Sequence, residues 1–266
     1  MSITTVDDIA AGLNSAQDIS YLKNLSAPKA AGSFQSAWLA TGRPGAGAAS
    51  PAYTAGSGYN CTSATAGAFP LTNGAVKNWL AKMSAFCTQP GVIILADRLW
   101  SCSGMGFALG TYAVTTPGTL PTRITDSGVG VEACVEQFVA AGAASGTLVL
   151  NYLDQAAAAK SGTIAAVVSA PVAGQVQMIP QQAGSTGISQ VTSAVTSATW
   201  TSGSFGITLF KRLVEIPVIA ANAGVVLDWA GVGLPTIPAD ACLFMMFLAA
   251  NTTAPVIIGS LDVIDK

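Results

Sequence analysis

Two acidic residues, Glu132 and Glu136, are spaced so that they could share one chemical task. Residues four apart lie on the same side of either a helix or a strand, and two carboxylates on one side are what paired-acid hydrolysis requires. No recognised catalytic signature surrounds them, so two solvated side chains on an outer face are the favoured interpretation. The pair gives only weak support for a hydrolase.

Other catalytic or cofactor chemistry finds little support in the chain. Histidine, the commonest general base and metal ligand, occurs nowhere in the 266 residues. The stretches GRPGAG (42–47) and GMGFALG (104–110) lack the strand, helix and Lys-Ser/Thr context of a phosphate-binding loop, and they indicate turns. Ser103 lacks the glycine spacing of a nucleophile elbow. We predict that the protein is not an enzyme and has no cofactor or metal.

The five cysteines are odd in number, widely spaced and without a CxxC pair, which argues against a zinc site. Cys134 and Cys242 lie in apolar runs, where cysteine usually acts as a small buried side chain. Cys61 lies in a stretch rich in Gly, Ser and Thr and is the candidate for an exposed thiol. A disulfide between subunits at this position is a weaker expectation.

Asp97 and Arg98 follow the buried run VIILA and precede Trp100. They could form an ion pair that closes a strand end or lines a subunit interface, and a local pair within the chain is equally compatible. Trp38 and Arg43 flank the start of a Gly/Ala-rich segment. Because Trp and Arg are frequent energetic anchors, we take Trp38, Arg43, Asp97, Arg98 and Trp100 as interface candidates.

Composition favours a subunit of an assembly. Hydrophobic residues make up 51% and charged residues 9% of the chain, against about 25% charged residues in typical soluble proteins. A surface of neutral, small side chains tolerates close contact with neighbours. The alternative is a secreted, monomeric β protein rich in Ser and Thr.

Charge and hydropathy patterns argue against two classes of partner. Lysines and arginines are scattered singly, so we predict no nucleic-acid binding. The longest apolar run, 242–250, is shorter than the roughly 20 residues that span a bilayer, so we predict no membrane segment. The first residues lack the charged and apolar regions of a signal peptide, which predicts cytoplasmic synthesis without export.

Local patterns predict three features in the first half of the chain. Residues 4–24 read as a helix that begins with a capping box of Thr5 and Asp8. Residues 42–67, rich in Gly and Ala, read as an extended arm. Residues 73–86 carry apolar side chains at helical spacing and read as a second helix.

From residue 91 onward, short β-branched runs alternate with Gly, Pro, Ser and Asn. This predicts a mainly β protein with a β-sandwich or jelly-roll-like C-terminal region. A break in alternation predicts a bulge at 210–212, and the run ACLFMMFLA (241–249), apolar on both faces, should lie centrally or beneath a neighbour. A soft boundary divides the chain into 1–125, with the helix, arm and mixed elements, and 126–266, with the antiparallel sandwich.

Several segments taken together resemble a family of tailed-phage virion proteins. They are SAWLATGRPGAGA (36–48), TAGAFPLTN (65–73), ILADRLWSCSGMGF (94–107), PVAGQVQMIPQQAGSTGISQVTSAVTSATWTSGSFGITLFKRL (171–213) and LDWAGVGLPTIPADACLFMMFL (227–248). These segments run through most of the chain beyond the N-terminal helix. The resemblance implies a structural protein of the virion that is made in the host cytoplasm.

Within the particle we expect a capsid decoration, or cement, protein. Its partners would be copies of itself, as a homo-oligomer and specifically a trimer, and the phage major capsid protein or other virion proteins. The alternative is a tail, baseplate or fibre-type adhesin, which would use exposed aromatic residues such as Tyr53, Tyr59 and Trp200. A third class, a polysaccharide depolymerase with paired carboxylates, has the least support.

Overall fold

The computed structural model describes residues 3–48, 58–72, 78–106, 109–114, 119–142, 146–165, 173–199 and 202–265. These residues form two short helices and eighteen strands. The helices are α1 (Val6–Leu13) and α2 (Trp229–Val232). The strands are β1 (Gln17–Asn24), β2 (Phe34–Ser36), β3 (Thr41–Arg43), β4 (Gly58–Asn60), β5 (Asn78–Cys87), β6 (Gly91–Cys102), β7 (Met105–Gly106), β8 (Gly110–Ala113), β9 (Val131–Val139), β10 (Leu148–Asp154), β11 (Ala159–Ile164), β12 (Gln175–Met178), β13 (Ile188–Thr196), β14 (Ser204–Val218), β15 (Ala223–Leu227), β16 (Thr236–Ile237), β17 (Leu243–Ala249) and β18 (Val256–Asp265).

The largest sheet closes on itself. Its strands pair in the order β6-β17-β2-β12-β9-β14, and β14 pairs again with β6 to complete the ring. The short strands β4 and β7 add to this closed sheet beside β6 and β14. Because neighbouring residues of a strand face opposite sides, alternate side chains point into the closed sheet. Cys134, Val176, Phe210, Phe244 and Met246 belong to the apolar cluster that fills this interior.

Two open sheets cover the outside of the closed sheet. The first has the order β15-β5-β18-β1-β3, with β16 also paired to β5. It packs on β6, β14 and β17 through a core that includes Leu95, Ile216 and Phe247. The second, β11-β10-β13-β8, packs on β9 and β14 through a core that includes Val135 and Leu209. The prediction of a mainly β, sandwich-like fold with an N-terminal helix is confirmed.

Two details of the β prediction are also confirmed. β17 lies between β6 and β2, and its residues are buried on both faces except Leu248, which is partly buried. The pairing of β14 with β6 shifts register between Leu209 and Phe210 and again between Arg212 and Val214. The first shift leaves Leu99 of β6 as the extra residue, and the second leaves Leu213 of β14. The second is therefore the bulge that restores alternation along β14, one residue beyond the predicted range.

The first predicted helix is correct at its start and wrong beyond residue 13. The Thr5 hydroxyl accepts a hydrogen bond from the Asp8 amide, and the Asp8 carboxylate accepts one from the Thr5 amide, as in a capping box. The chain then turns, and Gln17–Asn24 forms β1 between β18 and β3. Buried and exposed side chains alternate along β1, which suits a strand with one face on a core.

The second predicted helix is wrong where the structure describes it. Residues 78–87 form β5, paired with β18 on one side and with β15 and β16 on the other. Residues 73–77 lie outside the described residues. Strand partners on both sides satisfy the backbone of this segment, and this tertiary pairing overrides the helical spacing of its apolar residues.

The predicted arm is wrong for its described parts, 42–48 and 58–67, which fold against the chain. A Cβ added to Gly47 would lie 2.3 Å from the Trp38 ring, and one added to Gly58 would lie 2.0 Å from the Trp100 ring. The Trp38 indole N–H donates to the Ala48 carbonyl at 2.9 Å. The glycines therefore allow the backbone to pack directly on buried tryptophans. Residues 49–57 lie outside the described residues.

Strands from both sides of residue 125 share each of the three sheets in the described residues, and in the second open sheet β8 pairs with β13. β6 pairs with β14 in the closed sheet, and β1 and β5 pair with β18 in the first open sheet.

Among the described residues, neither helix is long and apolar enough to cross a membrane.

Candidate functional site

Adjacent charged residues on β6 face opposite sides of the closed sheet. Arg98 points into the interior and Asp97 points outward, because successive side chains of a strand alternate. Both residues are buried, with 0% and 2% of their surface exposed. They are therefore the centres of two separate charge clusters.

The interior charge cluster is a ring of four polar side chains. Arg98 Nη2 lies 2.7 Å from Glu136 Oε2 and donates to Ser101 Oγ at 2.9 Å. The Thr208 hydroxyl donates to Glu136 Oε2 at 2.9 Å and lies 3.3 Å from Ser101 Oγ. These residues come from β6, β9 and β14, so the ring joins three consecutive strands of the closed sheet.

Aromatic side chains complete the surroundings of Arg98. Its guanidinium carbon lies 4.5 Å from the centre of the Trp38 ring and 5.4 Å from that of Phe244. Burial lowers the pKa of Arg98, but the Glu136 carboxylate outweighs this and the pKa rises above its usual range. Arg98 is thus a buried cation held by one carboxylate and two aromatic faces.

The outer cluster is centred on Arg123, which binds Asp97 with two hydrogen bonds of 2.8 and 2.9 Å. Arg123 also donates to the carbonyls of Cys61, at 2.8 Å, and Arg98, at 3.1 Å, and it lies 3.3 Å from the Asp240 carboxylate. The Cys242 amide also donates to Asp97 Oδ1, at 2.9 Å. One guanidinium therefore ties four separate segments together.

The pKa of the Asp97 carboxyl and the pKa of the Arg123 guanidinium are both raised above their usual values. Burial raises the pKa of the Asp97 carboxyl, and the Arg123 guanidinium and the Cys242 amide act against that rise. Burial lowers the pKa of Arg123, but Asp97 outweighs this and raises it. The two-bond geometry favours the ionised form of both groups.

Cys61 is not the exposed thiol that its glycine-rich surroundings predict. It is completely buried, as are the other four cysteines. Its amide donates to the Leu99 carbonyl at 2.9 Å, so Cys61 extends β4 alongside β6. Its side chain belongs to the apolar cluster inside the closed sheet. The prediction is wrong because the Gly/Ser/Thr-rich segment packs on the closed sheet.

The structure brings most of the interface candidates together, but inside the chain. Trp38, Asp97, Arg98 and Trp100 are buried around the end of β6, so their side chains are not available to a neighbouring subunit. The alternative of pairing within the chain is correct, although Asp97 pairs with Arg123 and Arg98 with Glu136 rather than with each other. Arg43 is exposed on β3 and stays an interface candidate.

The two acidic residues do not form a paired-acid site. Glu136 is buried against Arg98, and Glu132 accepts a hydrogen bond of 2.9 Å from Arg212. The expectation of two solvated carboxylates is wrong for Glu136, because its strand lies in the closed sheet. In the part of the chain that the structure describes, no group of three or more His, Cys, Asp or Glu side chains could hold a metal ion.

Sequence reasoning missed Arg123 and the role of Glu136. Arg123 lies in TLPTRITDSG, a segment whose Pro, Thr and Gly residues indicate a loop and give no sign of burial.

Of the aromatic residues expected at an adhesin surface, Tyr59 is partly buried and packs on the apolar cluster inside the closed sheet. Tyr53 and Trp200 lie outside the described residues.

Comparisons with known proteins give little to set beside this geometry. No family model and no curated protein matches the chain. Among solved structures, the VP2 subviral particle of infectious bursal disease virus has a TM-score of 0.22 at 6% identity, covering 94% of this chain and 80% of the other. A structure of the Gx strain of the same virus has a TM-score of 0.21 at 10% identity, covering 93% and 78%. Similarity this low carries no argument, and the resemblance to tailed-phage virion proteins stays a prediction.

Proposed function

We propose that this chain is a non-enzymatic structural component of a tailed-phage virion, specifically a capsid decoration protein. Its function is mechanical: it adds contacts between itself and the shell. The observation that carries this proposal is that the outer surface carries little uncompensated positive charge. Most of those described are buried or paired with carboxylates of the same chain: Lys23, Lys82, Arg98, Arg123, Lys211 and Arg212.

A neutral patch on the outer face of the first open sheet, bordered by Arg43 and by the charged row of Asp18, Asp262 and Lys82, supports contact with neighbouring subunits. On the first open sheet, Leu22 lies opposite Ile258, which lies opposite Phe86, so these three apolar side chains form a row across β1, β18 and β5. Phe86 is 37% exposed and Ile258 is 42% exposed. The next row along the same face is Ser20, Ser260 and Ser84. Such a face loses its water at low cost when another subunit covers it.

The rigidity of the molecule supports a mechanical role. The strands of the closed sheet are linked on the inside by the ion pair of Arg98 with Glu136 and on the outside by that of Arg123 with Asp97. Both open sheets pack on the closed sheet through continuous apolar cores. A subunit that adds stability to a shell must itself resist deformation, and dense apolar packing contributes to this.

The copy number of the protein in purified particles tests the proposal. Quantitative mass spectrometry against the major capsid protein should give a ratio near one to one for a decoration protein. A few copies per hundred capsid subunits would instead indicate a tail, baseplate or fibre component that binds a receptor. Absence from particles would refute the virion assignment.

A matched pair of variants tests the proposed contact face. Phe86→Asp places a charge in the apolar row, and Val139→Asp places one at an exposed apolar residue, 55% exposed, on β9. We expect Phe86→Asp to weaken binding to particles lacking the protein by about tenfold or more, because burying an unpaired carboxylate costs more than about 1 kcal/mol. The Val139→Asp variant should bind like the wild type. Equal binding by both variants, with wild-type circular dichroism, would exclude this face.

A further inference from the structure

Two cysteines meet where β4 and β17 abut beside β6. Cys61 follows β4, and its amide donates to the Leu99 carbonyl at 2.9 Å. Cys242 precedes β17, and its carbonyl accepts a hydrogen bond of 2.8 Å from the Arg98 amide. Neighbouring residues of β6 thus hold the two cysteines side by side. Both cysteine side chains belong to the buried apolar cluster inside the closed sheet. The two thiols lie close enough for each to shift the pKa of the other.

The surroundings make the two thiols unequal. Burial raises the pKa of Cys61, but the Cys242 thiol, the Arg98 guanidinium and the Tyr59 hydroxyl outweigh it, so the pKa lies below its usual value. The hydrogen bond to Cys61 and burial raise the pKa of Cys242. These pKa directions favour Cys61 as the nucleophile of the pair and Cys242 as its neighbouring proton donor.

We propose that Cys61 and Cys242 form a disulfide within the chain when the protein meets a peroxide. The Cys61 thiolate attacks one oxygen of hydrogen peroxide, the O–O bond breaks, and with one proton the products are a Cys61 sulfenic acid and water. The Cys242 thiol then attacks the Cys61 sulfur, the S–O bond breaks, and the thiol proton leaves with the hydroxyl group as a second water. Two thiols are oxidised, and one peroxide is reduced to two waters.

Selectivity for this pair follows from where the other cysteines lie. Cys87 belongs to the core under the first open sheet and Cys102 to the core under the second. Cys134 shares the apolar cluster inside the closed sheet and is the competing thiol. Burial raises the pKa of Cys134 well above its usual value, so it remains a protonated and unreactive thiol.

The disulfide would fasten the segment after β4 to the start of β17. Backbone hydrogen bonds already join these parts, from the Ser63 amide to the Asp240 carbonyl at 3.0 Å and from the Phe69 amide to the Leu243 carbonyl at 3.0 Å. A covalent link would close a loop that contains most of the chain, which restricts the unfolded state strongly. The oxidised protein should therefore unfold at a higher urea concentration than the reduced protein.

The test is oxidation of the native protein by hydrogen peroxide, followed by thiol alkylation under denaturing conditions. Trypsin cleaves after Lys and Arg and so places each of the five cysteines in a separate peptide. We expect the protein to lose two of its five thiols and to yield one cross-linked peptide pair, containing Cys61 and Cys242. Because both side chains are buried, the reaction should be slow and follow local opening. Five remaining thiols, or a different linked pair, would overturn the proposal.

Single substitutions provide the matched comparison. Cys61→Ala and Cys242→Ala should each abolish the cross-link, whereas Cys134→Ala, in the same cluster, should retain it. A cross-link that persists in Cys61→Ala would contradict the assignment. If a variant fails to fold, the peptide map of the oxidised wild type still decides the outcome.

Discussion

At the scale of single residues, Arg98 shows how a cation is accommodated inside a small β structure. Removing a guanidinium from water is costly, and the cost is offset only when a carboxylate, hydrogen bonds and aromatic faces surround the charge. Glu136, Ser101, Trp38 and Phe244 provide these contacts. The loss of any of these partners should therefore destabilise the buried charge.

Removal of one partner should cost more than removal of both. Arg98→Met leaves Glu136 as an uncompensated buried carboxylate, and we expect the free energy of unfolding to fall by about 3–5 kcal/mol. Arg98→Met combined with Glu136→Leu removes both charges and should lose less than Arg98→Met alone. Urea unfolding of the three proteins measures this. Additive losses would show that the two charges do not compensate each other.

Lys23 is a second buried cation, with 2% of its surface exposed. Its ammonium group donates to the carbonyls of Ala40, Pro44 and Gly45 at 3.3, 2.9 and 3.4 Å. Burial lowers its pKa to about 8. The ammonium form still predominates at neutral pH and holds the turn after β3.

The lowered pKa of Lys23 predicts how stability changes with pH. Below about pH 8 both the folded and the unfolded chain bind the proton, so Lys23 contributes no pH dependence. Between about pH 8 and pH 10 the unfolded chain, with a pKa of about 10.4, keeps a proton that the folded chain releases. The free energy of unfolding of the wild type minus that of Lys23→Met should therefore rise over this range. A fall would mean that the three carbonyls favour the ammonium more than burial opposes it.

Sequence reasoning reached some of these residues and not others. Asp97 and Arg98 stand out because charges interrupt a buried run, and that signal is local. Glu136 and Arg123 acquire their roles from partners far away in the chain, since Arg98 and Asp97 come from another strand. The spacing of residues within one segment cannot reveal ion pairs between segments, such as Arg98 with Glu136 and Asp97 with Arg123.

At the scale of elements, β14 depends on a position without a side chain. A Cβ added to Gly206 would lie 1.9 Å from the Cys102 carbonyl oxygen and 2.7 Å from the Phe138 ring. The backbone of the neighbouring segment cannot move aside without breaking the pairing of β6, β9 and β14. Gly206 is thus required by close packing.

Gly206→Ala should lower the free energy of unfolding by about 2 kcal/mol or more, because added volume in a packed core forces the backbone apart. Gly224→Ala, on β15, is the control: its nearest neighbour would be 3.8 Å away. That variant should be neutral or slightly stabilising, since alanine restricts the unfolded chain. Thermal unfolding of both variants makes the comparison, and equal losses would contradict the packing argument.

The elements that sequence patterns misassigned share one physical property. β1 and β5 contain residues that suit either a helix or a strand, and each lies beside β18. β18 begins near the other end of the chain, so the choice was made by a partner that local patterns do not include. The runs after residue 91 were assigned correctly because β-branched residues and turn formers mark them locally.

At the scale of the whole molecule, the first open sheet unites the two ends of the described chain. β18 lies between β5 and β1, so it supplies hydrogen bonds to both neighbours and apolar side chains such as Ile257 and Leu261 to the core. The composition and run pattern predicted a sandwich. The closure of the central sheet could not be predicted, because it depends on the long-range pairing of β14 with both β6 and β9.

Deletion of residues 256–266 should abolish cooperative unfolding, because it leaves β1 and β5 without their shared partner and opens the first core. Deletion of residues 1–13, which removes α1, is the comparison. α1 contributes Ile9 to a small cluster with Ala81 and Ile264, so this shorter protein should still unfold cooperatively at a lower temperature. Circular dichroism during heating distinguishes the two results, and a cooperative transition in the first deletion would contradict the role given to β18.

Closure of the central sheet also governs how copies of this chain can stick together. Unpaired strand edges are templates for aggregation, and six strands of the ring present none along their paired length. Among the described residues, the open sheets end in four edge strands. These are β3, only three residues long and followed by Pro44; β8, four residues long; β15, five residues long; and β11, which carries Lys160 and Gly162. Short edges, proline and lysine discourage amyloid-like growth. A protein with so few charges can therefore be crowded at high concentration while its contacts remain between faces rather than between edges.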